Sequence, residues 1–284
     1  MEFVDVEVPQ NFNVFFFGDL HIGSLLFHDS GFDAALSLAG GEYRGVKTNR
    51  IIGMGDYIEA IDHSDKRFDT HTVDLKKIRP ELQAEHFRDL IKPHRRQIDV
   101  LLYGNHEDTL MRYYDYVGGI CRDLSVAYGT YTSIISYRNK RGELLFKVYA
   151  AHGRGSIKSA ADDPIRVEAN LNLSLKRKLK NKAADCSVSA MGHTHLLLVS
   201  KPKKTLYMTS EDGAIKQNYM EGEQAARYIH PDHRYYLNTG TFRRTSMRGV
   251  SDYAEKAMYD PVVLGFPVLL VREGKIVDVV KEYV

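Results

Sequence analysis

Five short polar runs hold the residues that can do chemistry. They are Gly18-Asp19-Leu20-His21, Gly55-Asp56, Gly104-Asn105-His106-Glu107, Ala151-His152-Gly153 and Gly192-His193-Thr194-His195. Collected, they supply Asp19, His21, Asp56, Asn105, His106, His152, His193 and His195, a nitrogen and oxygen set without a thiolate. Carboxylate plus imidazole suits Zn, Mn, Fe or Ni, and not an iron–sulfur cluster. The set is too large for one tetrahedral ion and suits two divalent ions sharing one carboxylate. Two ions about 3.5–4 Å apart can clamp the attacking and leaving oxygens of an in-line displacement at phosphorus.

Each run follows an apolar stretch that must position it. Val14-Phe15-Phe16-Phe17 precedes the first run, and four apolar residues in a row suit a strand buried on both faces. Residues 50–54, 98–103, 143–150 and 186–191 play the same part for the other runs. In open α/β sheets, sites collect outside the strand ends. In extended backbone, residues i and i+2 project to the same side. Asp19 and His21 are therefore expected to point together, as are His193 and His195. Asp-x-His alone is either a polar strand end or a ligand pair. The same layout repeated along the chain favours the ligand.

The remaining elements follow from periodicity. Residues 32–39, 81–91 and 108–127 read as helices, and 57–61 as a helix or turn. Residues 165–182 form an amphipathic helix with Val167, Leu171, Leu175 and Leu179 on its core face, and Pro164 suits its first turn. Its lysine-rich second half is a solvated C-terminus that favours cations, with a phosphate-backbone contact as the alternative. Residues 131–137 and 143–150 pair as a hairpin, as do 268–271 and 276–280. Residues 62–80, with Asp62, Lys66 and Arg67, read as a solvated loop or a substrate-facing lid. Residues 200–233 read as a long polar insertion, and 243–266 as a further insertion, loop-like up to 260. The whole of 1–284 reads as a single domain.

Composition narrows the class. The chain has 284 residues, 43% apolar and 27% charged, with a net charge of +2, as in globular proteins. That balance neither demands nor excludes a nucleic-acid partner. Cys121 and Cys186 stand far apart, which reads as buried thiols in a reducing compartment. No apolar run has the length of a membrane span, and the acidic first residues do not resemble a signal peptide. A cytoplasmic protein is expected, with a phage- or virus-encoded one as an equal fit, and without a membrane partner. The oligomeric state is not legible.

The five runs, in order and spacing, resemble the motifs of the calcineurin-like metallophosphoesterase superfamily: GDLH, GD, GNHE, AHG and GHTH, followed by NTGT at 238–241. The resemblance extends from about residue 14 to 242. It implies a four-layer αββα sandwich of two mixed sheets flanked by helices. It implies one ion held by Asp19, His21, Asp56 and His195, and a second held by Asp56, Asn105, His152 and His193. Two divalent cations, Mn²⁺ first and Fe, Zn or Ni as alternatives, would carry a bridging hydroxide that attacks phosphorus in line. His106 would be the general acid, with Glu107 orienting it. Arg154 could hold a phosphate oxygen.

The branch is less sharply drawn. Protein phosphatases continue their second motif with Asp-Arg-Gly, whereas Ile58-Glu59-Ala60 follows Tyr57 here, and they lack the GHxH pair. The pattern is closer to the branch of exonucleases and small phosphodiesterases. The expected function is phosphodiester hydrolysis on a phosphate-ester substrate. A DNA nuclease, with Arg243, Arg244 and Arg248 along the nucleic acid, a phosphomonoesterase and a non-catalytic interaction protein are the alternatives. His28, His63, His71, His86, His94, His230 and His233 are expected to be surface or structural residues.

Overall fold

The computed structural model describes residues 1–284 except Asp62, Ser64, Lys66 and Arg67, together with the side chain of Tyr253. The expectations for Asp62, Lys66 and Arg67 therefore lie outside the described residues.

One sheet holds β2 (Phe12–Phe17), β3 (Asn49–Gly53), β4 (Ile98–Leu101), β12 (Gly265–Arg272) and β13 (Lys275–Tyr283), in the order β13-β12-β2-β3-β4. β2 is buried at every position. Its side chains divide by the two-residue period of a strand. Phe12, Val14 and Phe16 enter one apolar cluster, and Phe15 and Phe17 enter another. β2, β3 and β4 run parallel, while β12 pairs antiparallel with β2 and β13.

The second sheet contains β1 (Glu2–Glu7), β5 (Thr132–Arg138), β6 (Leu144–Ala151), β7 (Val188–Met191), β8 (Leu197–Ser200) and β11 (Tyr235–Thr239), ordered β1-β5-β6-β7-β11-β8. It is also mixed: β6, β7 and β11 are parallel, β5 runs against β6, and β8 runs against β11. The two sheets share a core that brings Val14, Phe16 and Val100 together with Val148, Val188 and Leu237.

Helices close both outer faces. Phe32 of α1 (Asp29–Gly40), Phe87 of α2 (Pro80–Ile91) and Val117 of α4 (Tyr116–Leu124) pack with Phe15 and Phe17. On the far side, Leu175 and Leu179 of α5 (Pro164–Leu179) pack with Tyr149, Met191 and Tyr236. The result is the expected α/β sandwich of four layers. Parallel β2, β3 and β4 deliver the first three polar runs to one edge, and parallel β6 and β7 deliver the other two.

Several local expectations change. β1 pairs in parallel with β5 as an edge strand that the pattern did not single out. The stretch 108–127 is not one helix. α3 (Asn105–Asp108) is a single turn, and α4 starts anew where Asp115 accepts the Gly118 amide at 2.8 Å. Residues 57–61 form no helix, because their amides are drawn to Glu107, Ile22 and Gln83. In α5, only Leu175 and Leu179 of the predicted stripe are buried, and Ile165 and Leu173 are exposed.

Residues 200–233 are not merely a polar insertion. They contain β9 (Thr205–Glu211) and β10 (Ala214–Met220), an antiparallel hairpin hydrogen-bonded to neither main sheet. The hairpin turns at Asp212-Gly213, both with positive φ, which is the chemistry of a tight hairpin turn. Among the described residues, no helix is long and apolar enough to cross a membrane.

Candidate metal centre

The strand ends do not continue in extended form. Asp19, His21, Asp56, His193 and His195 have φ of 52°, 56°, 52°, 70° and 57°. The expectation that i, i+2 alternation aligns Asp19 with His21 is therefore corrected. The chain coils through the left-handed region at both residues, and again at both histidines of the later pair. Each such residue costs roughly 1–3 kcal/mol and persists only where its surroundings over-determine it. Here they do. The amides of Asp19, Leu20, His21 and Ile22 bond to the carbonyls of Gly55, Asp56 and Tyr57 at 2.8–3.1 Å. These bonds extend the β2–β3 pairing into the loops.

Two glycines permit the close approach of the loops. A Cβ on Gly104 would lie 2.1 Å from Asp56 Oδ1, and one on Gly55, whose φ is +91°, would lie 2.6 Å from the Gly104 nitrogen. Only a residue without a Cβ lets the β4 loop pass that close to the β3 loop.

The candidate ligands gather into two groups. In the first, ligand atoms of Asp19, His21 and His195 lie within 4.8 Å of one another. His195 Nε2 is 3.1 Å from His21 Nε2 and 3.5 Å from Asp19 Oδ1. In the second, ligand atoms of Asp56, His152 and His193 likewise lie within 4.8 Å of one another. His152 Nε2 is 3.2 Å from Asp56 Oδ2 and 3.0 Å from Asn105 Oδ1, and His193 Nδ1 is 2.5 Å from that same Asn105 oxygen. All seven candidates are thus brought together, from five loops.

The donor set fits cations. His21 Nδ1 faces the Glu59 carboxylate at 2.9 Å, so Nδ1 carries the proton and Nε2 turns a lone pair inward. His152 Nδ1 faces the Met54 carbonyl at 2.8 Å, which can only accept, so its Nε2 faces Asp56 and Asn105. Backbone amides hold the carboxylates. His193 N–H donates to Asp19 at 3.0 Å, and His106 N–H donates to Asp56 Oδ1 at 2.9 Å, leaving Oδ2 for the site. Lone pairs from two carboxylates, one amide oxygen and four imidazoles converge, and only protons or cations can hold such a set together.

The electrostatics say the same. Burial pushes the Asp19 carboxyl up to about 8, a group poorly stabilised as an anion without a cation beside it. Burial works against charge on His152, but Asp56 overcomes it and holds the ring up to about 9. Burial also pushes Asp56 up, yet His152 and His106 outweigh it and keep Asp56 below the usual carboxylate range. His193 is lowered to about 4 by burial and by His152, and His195 is driven well down by burial and His21. Neutral imidazoles are the form that binds metals, so His193 and His195 are set for one, and a cation at His152 would displace its proton.

His106 stands beside the first group, its ring 4.5 Å from that of His21 between centroids. Its Nδ1 donates to the Glu59 carbonyl at 2.6 Å, which turns Nε2 away from the backbone. The expectation that Glu107 orients His106 is corrected. Glu107 is buried and accepts the amides of Asp56, Tyr57, Ile58 and Gly104 at 2.7–3.1 Å. Four amides occupy its four lone-pair sites, so it clamps the β3 loop to the β4 loop and none is left for a ring.

Glu59 is the residue that sequence reasoning missed. Its side chain fixes His21 and its backbone carbonyl fixes His106. Its position three residues after Asp56 was the available signal.

Contacts describe the surroundings of the other candidates. The Arg154 side chain is exposed and has no hydrogen bond or ion pair among the described residues; only its carbonyl is engaged, by Lys178 at 3.0 Å. Arg243 does not track a solvent-side partner, because it is buried against Asp252. In α5, Lys176 is paired with Asp232. Asn238 donates to Thr194, and Thr241 donates to the Asp19 carbonyl at 2.8 Å, so the returning strand steadies two ligand loops. None of the seven histidines expected to be structural joins a metal-capable group among the described residues. Cys121 and Cys186 are buried free thiols.

Two cavities adjoin the centre. One of about 610 Å³ is bounded by His193 and His195, residues 155–158 and the 243–262 segment. The other, of about 410 Å³, lies against His106 and Glu59 and is bounded by Asp69, Thr72, Asp252 and Lys256. Segments 62–80 and 243–266 thus reach the site, whereas no residue of 200–233 lines either cavity.

No protein-family model matches the chain, and no curated protein matches it in sequence.

Proposed function

We propose that the chain is a dinuclear metal-dependent phosphoesterase of the calcineurin-like type, acting on phosphodiesters. The observation that carries this reading is the two adjoining donor groups, the second of them containing Asp56, with His106 at their edge. The Asp56 charge acts on His21, His195 and His152 alike, the position expected of a carboxylate shared by two ions. Asp19, His21, Asp56 and His195 would hold one ion, and Asp56, Asn105, His152 and His193 the other. Mn²⁺ suits this set, as do Fe, Zn and Ni.

When bound, the two ions supply an activated water and stabilise charge on the phosphoryl group. The chain's own residues do the rest. His106, held through Nδ1 by the Glu59 carbonyl, keeps a proton on Nε2 for the departing oxygen. Burial works against its charge, but the Asp56 and Glu59 carboxylates outweigh it and raise its pKa, which favours the acid form. A bond forms between water oxygen and phosphorus as the ester P–O bond breaks. The leaving oxygen takes the His106 proton, and the water proton returns through solvent. Glu107 keeps the Asp56 and Asn105 loops in register.

The test supplies the purified protein with Mn²⁺, with and without chelator. Bis(p-nitrophenyl) phosphate, p-nitrophenyl phosphate and single- and double-stranded DNA are the substrates. Chelator-sensitive turnover, faster on the diester than on the monoester, is expected. Two bound ions with no hydrolysis of any substrate would overturn the reading, as would turnover indifferent to chelator.

A further inference from the structure

The two cavities beside the centre differ in charge. In the cavity against His106, each cation already has a carboxylate: Lys256 is 3.2 Å from Asp69, and Arg243 is bonded to Asp252. Glu59 adds a further carboxylate, itself paired with His21. Apart from His106, whose proton the reaction uses, no cation among the described residues of this wall is left to receive an anion.

The cavity against His193 and His195 has the opposite balance. Lys158 lines it and has no hydrogen bond or ion pair among the described residues. Arg244 lines it too, and its guanidinium rests on the Phe27 carbonyl and His28 Nδ1, neither of which is an anion. Among the described residues, Asp260 is the one carboxylate on this wall. Ile157, Leu196 and Tyr259 provide apolar and aromatic surface. At about 610 Å³ the space falls within the range of ligand pockets, roughly 300–1,000 Å³.

We infer that the substrate is an asymmetric phosphodiester. Its retained half carries a second anionic group and fills the cavity of Lys158 and Arg244, and its leaving half is an uncharged alcohol seated against His106. This rests on the proposed function, because it takes His106 as the proton donor that marks the leaving side. The geometry adds that a monoester would leave one cavity unfilled. Hydrolysis would give the uncharged alcohol and a retained product with a phosphate monoester beside its second anionic group.

Two esters of thymidine test the charge rule. Thymidine 5′-(p-nitrophenyl phosphate) and its 3′-phosphorylated counterpart share a leaving group and differ only in the second anion. With Mn²⁺ loaded, the 3′-phosphorylated ester is expected to have a kcat/KM about tenfold higher, as one charge-assisted contact supplies. In parallel, calorimetry of thymidine 3′,5′-bisphosphate against thymidine 5′-monophosphate should show the same preference in affinity. Lys158→Glu should bring both ratios to unity or below. Each ratio is internal to one preparation, so a general loss of activity does not mimic the result, and Lys158→Ala serves as a milder second variant.

A wild-type ratio near one in both measurements overturns the inference, as does a preference that survives Lys158→Glu. If neither ester is hydrolysed but the bisphosphate binds tighter in a Lys158-dependent way, the proposed function fails and the anion-selective cavity stands. If both esters are hydrolysed equally and both nucleotides bind equally, the proposed function stands and the asymmetry fails.

Discussion

In the group formed by Asp19, His21 and His195, a carboxylate stands behind a ring: Glu59 fixes His21 at 2.9 Å. In the group formed by Asp56, Asn105, His152 and His193, a backbone carbonyl does that work: Met54 fixes His152 at 2.8 Å. A carboxylate behind an imidazole raises its basicity and can be removed by mutation, whereas a carbonyl orients the ring and is supplied by any residue. The first group is thus adjustable through one side chain, and the second is built into the strand. The groups also differ in what holds their carboxylates. Asp19 takes the His193 amide from the far sheet, while Asp56 is held by the neighbouring loop through His106 and, behind it, Glu107.

The sharpest way to break this contrast is to remove what the groups share. Asp56→Asn should abolish stoichiometric uptake of both ions, and turnover with it, read by elemental analysis of the purified variant. Retention of one ion per chain would show that the groups are independent and that Asp56 belongs to only one.

Next comes the clamp. Glu107→Ala strands four buried amides, each worth about 1–3 kcal/mol when unpaired. Chemical denaturation should show a loss of at least about 3 kcal/mol even after partial relaxation and hydration. A variant of unchanged stability that has lost turnover would return Glu107 to a direct catalytic role.

His106→Ala should keep both ions and lower diester turnover by about 10²–10⁴-fold, the range of general acid catalysis. The loss should shrink with p-nitrophenolate as leaving group, which needs little protonation. Normal turnover on a poor leaving group would refute the acid role.

The smallest effect isolates the first group. Glu59→Gln should weaken one ion about 10–100-fold, as replacing the partner behind a ligand does, and leave the other ion in place. Competition with a calibrated chelator would resolve two affinities in the variant. Equal weakening of both would mean that the two groups act as one rigid unit and that the contrast between them is only geometric.

Much of the fold was legible in the sequence because its strands bury both faces. Phe12–Phe17 has no solvent face, and such a run declares itself by its side chains alone. Glu2–Glu7 was not legible because an edge strand is specified by its partner β5, and only Val6 along it is buried. The β9–β10 hairpin was obscured by the lysines before it, although Asp212-Gly213 carried a turn signal. Residues 108–127 looked continuous because helix periodicity ignores a cap, and Asp115 restarts the helix.

What the sequence by itself determined is the cast of candidate site residues and the layering that presents them. Residue type and the end of an apolar run are local properties, and Asp19, His21, Asp56, Asn105, His106, His152, His193 and His195 could be named from them; setting His106 apart from the other seven rested on the family resemblance. The tertiary structure alone decided how they are aimed. His21 and His195 are 174 positions apart and meet at 3.1 Å. The left-handed backbone at five ligands is imposed by hydrogen bonds between loops, not by local preference. The same packing gave His106 to the Glu59 carbonyl and Glu107 to four amides. A side chain's partner depends on which loops the packed sheets bring within reach, and no spacing along the chain records that.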